Sequence, residues 1–452
     1  MNSPWINQLE HHTYPTLEKD IFSDIVIIGA GVSGSVTAFE ILTRTDKSIV
    51  MLDAGRVGHG ATGHNAGQLT HYFERAYHTI VDEYGLEMAA EGQAEVFKSW
   101  QRIKRVFKKT NLKVPYYLFW GHAGVSTLEQ LDDHLSNKFL RRQGGVNIEK
   151  IYVSHDFDIS KINKKYAGLY QIATKNFINE KLNTDNEEFI ALLETRKGTM
   201  NSSLFTEALV KHMADHYKNR FTIFTDTKVN EIILMDKSVL IKTVNNSVEA
   251  DKIVLCTNGF ENFDIRNVGG ENLNKSFHEE VHGRVAYMLG YLEKSQPDTP
   301  TAITYFPTEY DVKNKEEADY YYLTRRPYEV TKDISDTLLC IGGPTEKLAM
   351  KMHYDKDTHQ MPIGIEENMD SALDKYYKYH IKNIEYKYRW HGLMGYTRNT
   401  LRLVGEDKVN ARLLYNLGCN GVGIMPAFFG AERVARLIGG EKFEKSIFDP
   451  TI

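Results

Sequence analysis

The first residues whose types and spacing suit chemistry are Gly29, Gly31 and Gly34, within Gly29-Ala30-Gly31-Val32-Ser33-Gly34. They follow Ile25-Val26-Ile27-Ile28, an apolar run without alternation, which fits a parallel strand buried on both faces. After them comes SVTAFEILTRT, with Val36, Phe39 and Leu42 at helical spacing. Strand, G-x-G-x-x-G, helix is the order that a dinucleotide fingerprint requires. Gly29 permits the tight turn, Gly31 lets backbone approach a pyrophosphate, and Gly34 lets helix and strand pack closely. The helix start at Val32 and Ser33 offers unpaired N–H groups and a partial positive charge to phosphates. A second strand, Ser48 to Leu52, ends at Asp53. The acid stands near the spacing, about 20 residues, at which a carboxylate meets a ribose 2′-hydroxyl. It disfavours a 2′-phosphate, which leaves NAD and FAD as candidates and sets NADP aside.

The elements that must position such a ligand are spread along the chain. Directly after Asp53-Ala54 and Arg56 comes GATGHNAGQL, Gly60 to Leu69. Its small residues let backbone run close along a large cofactor. Asp251 to Gly259 reads as a buried strand stopping at a small polar turn, Thr257-Asn258-Gly259. Before it, Leu204, Phe205, Leu209 and Met213 form an amphipathic helix, with Ser202 or Ser203 as its N-cap. Thr222–Phe224 and Lys228–Ile232, which includes Val229, read as further strands. Near the end, Leu413 to Leu417 runs into Gly418-Cys419-Asn420-Gly421-Val422-Gly423, and a helix follows from Ile424 with Pro426 in its first turn. A glycine loop feeding a helix start can stabilise negative charge on a ligand. A long amphipathic helix is expected near 84–109, with Val96, Trp100, Ile103 and Phe107 in the core.

Composition excludes several classes. With 452 residues, length alone gives a soft expectation of ~3 domain-sized units. A net charge of −5 provides no global field for nucleic acid or an anionic membrane surface. Three widely spaced cysteines, Cys256, Cys340 and Cys419, argue against a disulfide framework and for a reducing compartment. No secretory signal and no membrane span are read, so the expected location is the cytoplasm. His278-Glu279-Glu280-Val281-His282 matches H-E-x-x-H, but alternation from Val281 to Leu289 fits a strand equally well and no third ligand is in view, so no metal is assigned. Tyr320, Tyr321, Tyr322 and Arg325 lie on one strand-like stretch, where Tyr322 and Arg325 must face opposite ways.

Taken together, these motifs resemble the D-amino-acid-oxidase-like superfamily of FAD-dependent oxidoreductases, which includes glycine and sarcosine oxidases and γ-glutamylputrescine oxidoreductase. The similarity covers the Trp5 to Leu9 lead, the Gly29–Gly34 fingerprint, GATGHNAGQL, VLCTNGF at 254–260, RWHGLMGYTRNTLRLVG at 389–405, and GCNGVGIMPAFFG near the end. The resemblance implies an α/β and α+β fold: a Rossmann-like FAD-binding domain with a mixed or antiparallel-sheet substrate domain roofing the flavin. It implies an N-terminal lead over 1–20, a discontinuous FAD domain over 21–75, 195–262 and 380–452, and a substrate domain over 76–194 and 263–379. FAD would lie along Gly29, Gly31, Val32, Ser33, Gly34, Asp53, Ala54 and Arg56. It would then pass Gly60, Ala61, Thr62, His64, Asn65, Ala66 and Gly67. Val229, Thr257, Asn258, Gly259, Gly392, Gly421, Val422, Gly423 and Ile424 would complete the cradle.

The implied activity is oxidation of a C–N bond of a small-molecule amine or amino acid. The alternatives are a 2-hydroxy-acid or polyol dehydrogenase on the same fold, and a flavoprotein whose degenerate site serves binding or assembly. Tyr322, Arg325 and His391 are candidates for substrate-side chemistry, and the electron acceptor is left open. Asn399, Arg402 and Asn420 depart from the usual Asp, Pro and His. His64 stands where relatives carry Arg. In dimethylglycine and sarcosine dehydrogenases, a similar T-W-H-A-A-G stretch carries a His bonded to the flavin, so His64 is either a polar neighbour of the cofactor or its covalent anchor.

Overall fold

The computed structural model describes residues 3–260, 262–293, 299–312, 320–331, 334–349, 354–381 and 384–451. Asp319, the first residue of the tyrosine-rich stretch, lies outside them. The apolar run before the fingerprint forms the strand Ile21–Ile28, flanked in parallel by Ile49–Leu52 and by Ser247–Leu255. Phe221–Phe224 and Leu413–Leu417 extend the parallel core on either side. A nine-stranded sheet results, completed by Leu403–Glu406, Val239–Lys242, Glu231–Leu234 and Asp264–Asn267. On one face pack the helices Val32–Arg44, Ser202–His216 and Ile424–Ile438, which bury Val36, Phe39, Phe205, Leu209, Phe429 and Val434 in one cluster.

The second sheet has ten strands. Val281–Glu293, Ile334–Lys347, Tyr321–Thr331 and Thr301–Phe306 form an antiparallel run. Thr301–Phe306 then pairs in parallel with Tyr116–Val125, and Ala191–Met200 follows antiparallel. The sheet is therefore mixed.

Sheet membership divides the chain differently from the ranges read in the sequence. Tyr388–Thr397 pairs with Val281–Glu293 in the ten-stranded sheet, although it falls within 380–452. Gln68–Leu69 joins the same sheet through Ala191–Met200. Asp264–Asn267 belongs instead to the nine-stranded sheet, beside Glu231–Leu234. The helices of 77–110 bury Ile80, Val96, Trp100 and Ile103 in the cluster that holds Val36 and Phe39, so they pack with the nucleotide-type core.

Three local expectations are corrected. The long helix is two, Leu86–Phe97 and Ser99–Thr110, separated at Lys98. The helix at 202 is capped by Asn201, whose side chain accepts from the Ser203 and Leu204 N–H groups; Ser202 and Ser203 lie inside it. The strand expected at 228–232 begins only at Glu231, which leaves Val229 in a loop. The H-E-x-x-H residues are split: His278 lies in the last turn of the helix Leu273–Glu280 and His282 sits in the following strand, so the two rings do not share a helix face. Among the described residues no cluster of His, Cys, Asp or Glu is placed to hold a metal, and no helix is long and apolar enough to cross a membrane.

Candidate functional site

A cleft of about 1550 Å³ opens between the C-terminal ends of the parallel strands and the ten-stranded sheet. Open α/β sheets bind ligands beyond the carboxyl ends of their strands. Gly29, Gly31, Val32 and Ser33 line it at the first turn. Gly34 does not, because its work is internal: a Cβ there would stand 1.9 Å from the Gly29 carbonyl oxygen. The Val32 N–H, expected to await a phosphate, is already taken by the Thr62 hydroxyl at 2.9 Å. Thr62 thereby closes the helix start from the side of the GATGHNAGQL loop, and a Cβ at Gly31 would meet that same hydroxyl at 2.8 Å.

Asp53 lies at the end of Ile49–Leu52, with Ala54 and Arg56 beside it on the cleft wall. Its two carboxylate oxygens accept the N–H groups of Ala30, at 2.7 Å, and Gly55, at 2.8 Å. Burial raises its pKa despite those bonds. Each oxygen has further acceptor capacity, which suits a ribose hydroxyl. Val229, Thr257, Asn258 and Gly259 line the same region, and the buried Thr257 hydroxyl has no hydrogen-bond partner among the described residues. Asn258, at φ +58°, accepts from the Gly395 and Cys419 N–H groups and donates to the Leu393 carbonyl, which fixes three walls to one another.

Gly60, Ala61, Thr62, His64, Asn65 and Ala66 carry the wall onward. Gly67 lies behind it, against Trp5, where a Cβ would come within 2.6 Å of the indole ring. His64 Nδ1 stands 2.8 Å from the Gly60 carbonyl oxygen, which can only accept, so Nδ1 carries the proton and Nε2 the lone pair. Burial lowers the His64 pKa, so the ring is neutral at pH 7. Gly392 presses on the His64 backbone, and Gly421, Val422, Gly423 and Ile424 close the far wall at the start of Ile424–Ile438.

The three candidates for substrate chemistry fall apart. Tyr322 lines the cleft. Arg325 is fully buried away from it, its Nε 2.7 Å from Glu293, which is bonded in turn to Tyr377. His391 does not line the cleft either: Nδ1 meets the Tyr354 hydroxyl at 2.7 Å and Nε2 the His359 carbonyl at 2.8 Å. Burial pulls its pKa down to about 4, so the ring is neutral at pH 7. In place of these, Tyr72, Glu74, Tyr320 and Tyr396 join Tyr322 on the cleft wall. The Tyr320 hydroxyl is 3.4 Å from the Glu74 carboxylate. The four phenols have raised pKa values, through burial first and the Glu74 charge second. Tyr72 and Glu74 carry no motif. Only their place a few residues beyond the glycine loop hinted at them.

The family model for FAD dependent oxidoreductases matches residues 24–437. The chain belongs to that family. A probable oxidoreductase OrdL of Haemophilus influenzae is 22% identical over 444 residues, covering 96% of this chain and 87% of its own. Glycine oxidase from Geobacillus kaustophilus superposes with a TM-score of 0.67 at 15% identity, covering 95% of this chain and 96% of its own. L-proline dehydrogenase from P. horikoshii has the same TM-score at 16% identity, covering 95% of each chain. The cofactor of this FAD dependent oxidoreductase is FAD. The residues present fit it: the unpartnered Thr257 hydroxyl, the Asp53 carboxylate and the glycine-walled cleft are what a dinucleotide requires.

Of the residues that depart from the resemblance, two have local explanations. Asn399 accepts from the Thr397 hydroxyl and the Leu401 N–H, and donates to Tyr84. Asn420 accepts the Thr397 N–H at 2.8 Å. Both fix turns behind the cleft. Arg402 alone reaches its wall.

Proposed function

We propose that this FAD dependent oxidoreductase oxidises a C–N bond of an amine or amino acid, with Gly29–Ser33, Asp53 and the 60–66 loop holding the cofactor. The observation that carries the amine reading is the end of the cleft where Tyr72, Tyr320, Tyr322 and Tyr396 surround Glu74. Aromatic faces and a carboxylate attract the cationic nitrogen of an amine or amino acid, a group that a 2-hydroxy acid lacks. The names of glycine oxidase and L-proline dehydrogenase, which share the fold, agree with this reading.

When bound, FAD supplies a two-electron acceptor at N5. The chain's part is to bind, orient and exclude water. The tyrosine walls hold the substrate carbon, and Glu74 orients its nitrogen. As the neutral amine's C–H hydrogen leaves with its electron pair, positive charge develops on nitrogen, and Glu74 stabilises it. Water then cleaves the resulting C=N bond to a carbonyl and an amine. Anaerobic mixing with amines, amino acids and hydroxy acids in turn tests the reading. Loss of the flavin band with the nitrogen compounds alone is expected. Bleaching by a hydroxy acid alone would assign the site to alcohol oxidation.

A further inference from the structure

Arg402 is a buried cation, 6% exposed. Its Nε donates to the Asn416 side-chain oxygen at 2.6 Å, Nη2 to the Asn416 carbonyl at 2.9 Å and to the Ser33 hydroxyl at 2.8 Å, and Nη1 to the Gly418 carbonyl at 3.3 Å. All are neutral acceptors, and Arg402 forms no ion pair among the described residues. Burial depresses its pKa to about 10, with only the Cys256 and Cys419 thiols acting against the shift. A guanidinium taken out of water without a counter-charge is costly and is normally paired. Hydrogen bonds engage four of its five N–H donors but leave the charge.

The place of that charge is informative. Ser33 belongs to the first turn of Val32–Arg44, and both Ser33 and Arg402 line the cleft. The start of Val32–Arg44 and one guanidinium thus meet where the fingerprint brings a diphosphate. The Thr62 hydroxyl has already claimed the Val32 N–H, so that helix start has one donor fewer to offer.

We propose that Arg402 is the counter-charge for the FAD diphosphate, tied to the fingerprint helix through Ser33. It rests on placing the diphosphate at the Gly29–Gly34 turn and is independent of which substrate is oxidised. Arginine suits the task because its planar fork can hold the Asn416 and Gly418 acceptors while its charge faces phosphate oxygens.

The test uses the full-length apoprotein, made in riboflavin-starved cells, titrated calorimetrically with ADP and with adenosine. The ratio of the two Kd values isolates the diphosphate and is internal to each variant. The wild type is expected to prefer ADP. Arg402→Lys, which keeps the charge but not the fork that aims it, is expected to lose clearly less of that preference than the uncharged variant. Arg402→Gln, which keeps a hydrogen-bond donor without the charge, is expected to lose it by about tenfold or more while binding adenosine as before. An unchanged preference in Arg402→Gln, or equal losses in both variants, would overturn the assignment. A wild type that does not prefer ADP would overturn it through the placement of the diphosphate. These outcomes do not depend on turnover, so they stand apart from any failure of the amine reading.

Discussion

Single residues of one motif fail in different ways. Gly31→Val sets a branched side chain against the Thr62 hydroxyl on the cleft wall, so the protein is expected to fold but purify without its yellow colour. Gly34→Ala drives a Cβ into the Gly29 carbonyl inside the fold, and is expected to lower stability by about 1–3 kcal/mol or more. Flavin absorbance and thermal melts of the two variants separate these effects. Lys197 offers a pH test. It is 3% exposed, within 3.3 Å of Gln68 and 3.4 Å of Thr304, and burial draws its pKa from 10.5 to about 8. The unfolded chain therefore holds this proton more tightly than the native one. The cost of the buried charge is fully present below pH 8 and disappears as pH rises towards 10.5. Lys197→Met is expected to stabilise the protein by about 1–3 kcal/mol at pH 7, since each pKa unit is worth about 1.4 kcal/mol. The gain should shrink in denaturant titrations towards pH 10. A constant gain would mean that the charge is not its source. His64 is neutral with Nε2 bearing the lone pair. His64→Ala is expected to weaken flavin retention severalfold while the melt stays cooperative, measured as flavin per polypeptide after gel filtration. Acid precipitation of the wild type then divides its two roles: flavin in the pellet means a bond, flavin in the supernatant a contact.

At the scale of elements, the capping of Ser202–His216 carries the next expectation. Asn201 accepts two N–H groups at the helix start, and its amide donates to the Trp5 carbonyl. Asn201→Ala should cost about 1–2 kcal/mol in urea unfolding, towards the upper end of an N-cap loss because the Trp5 tie goes with it. The sequence misplaced this cap on the serines because all three residues are good caps, and only the chain's entry direction selects one. The strand, turn and helix around Gly29 were legible, because each local signal agrees with its neighbours. The break at Lys98 was not. Val96 and Trp100 keep helical spacing across it, and periodicity cannot see one interrupted turn. Arg325 is a candidate through its place on the tyrosine-rich strand. Strand alternation already required Arg325 and Tyr322 to part company, but which of them faced the cleft depended on Glu293, a partner remote in sequence. Glu74 and Tyr72 stand in a loop without period or motif, so no local rule could place them.

The whole molecule sets two sheets against one cleft, and the boundary between them crosses the chain repeatedly. Tyr388–Thr397 roofs the site while Leu403–Glu406 and Leu413–Leu417, a few residues on, support its floor. Contiguous ranges could not express this, since pairing partners are far apart in sequence. The arrangement brings a nucleotide-type floor, a glycine-rich first turn and a tyrosine-walled chamber to one cleft, and that union is what the proposed reaction needs. Its central claim is C–N cleavage coupled to flavin reduction. The most direct measurement is an anaerobic single turnover of the holoprotein with the amine or amino acid that bleaches it, followed by quantification of the released amine and carbonyl. One C–N bond cleaved for each flavin reduced is the predicted result. Flavin reduced without release of a nitrogen product, or a flavin that only dithionite bleaches across the whole panel, would contradict the account.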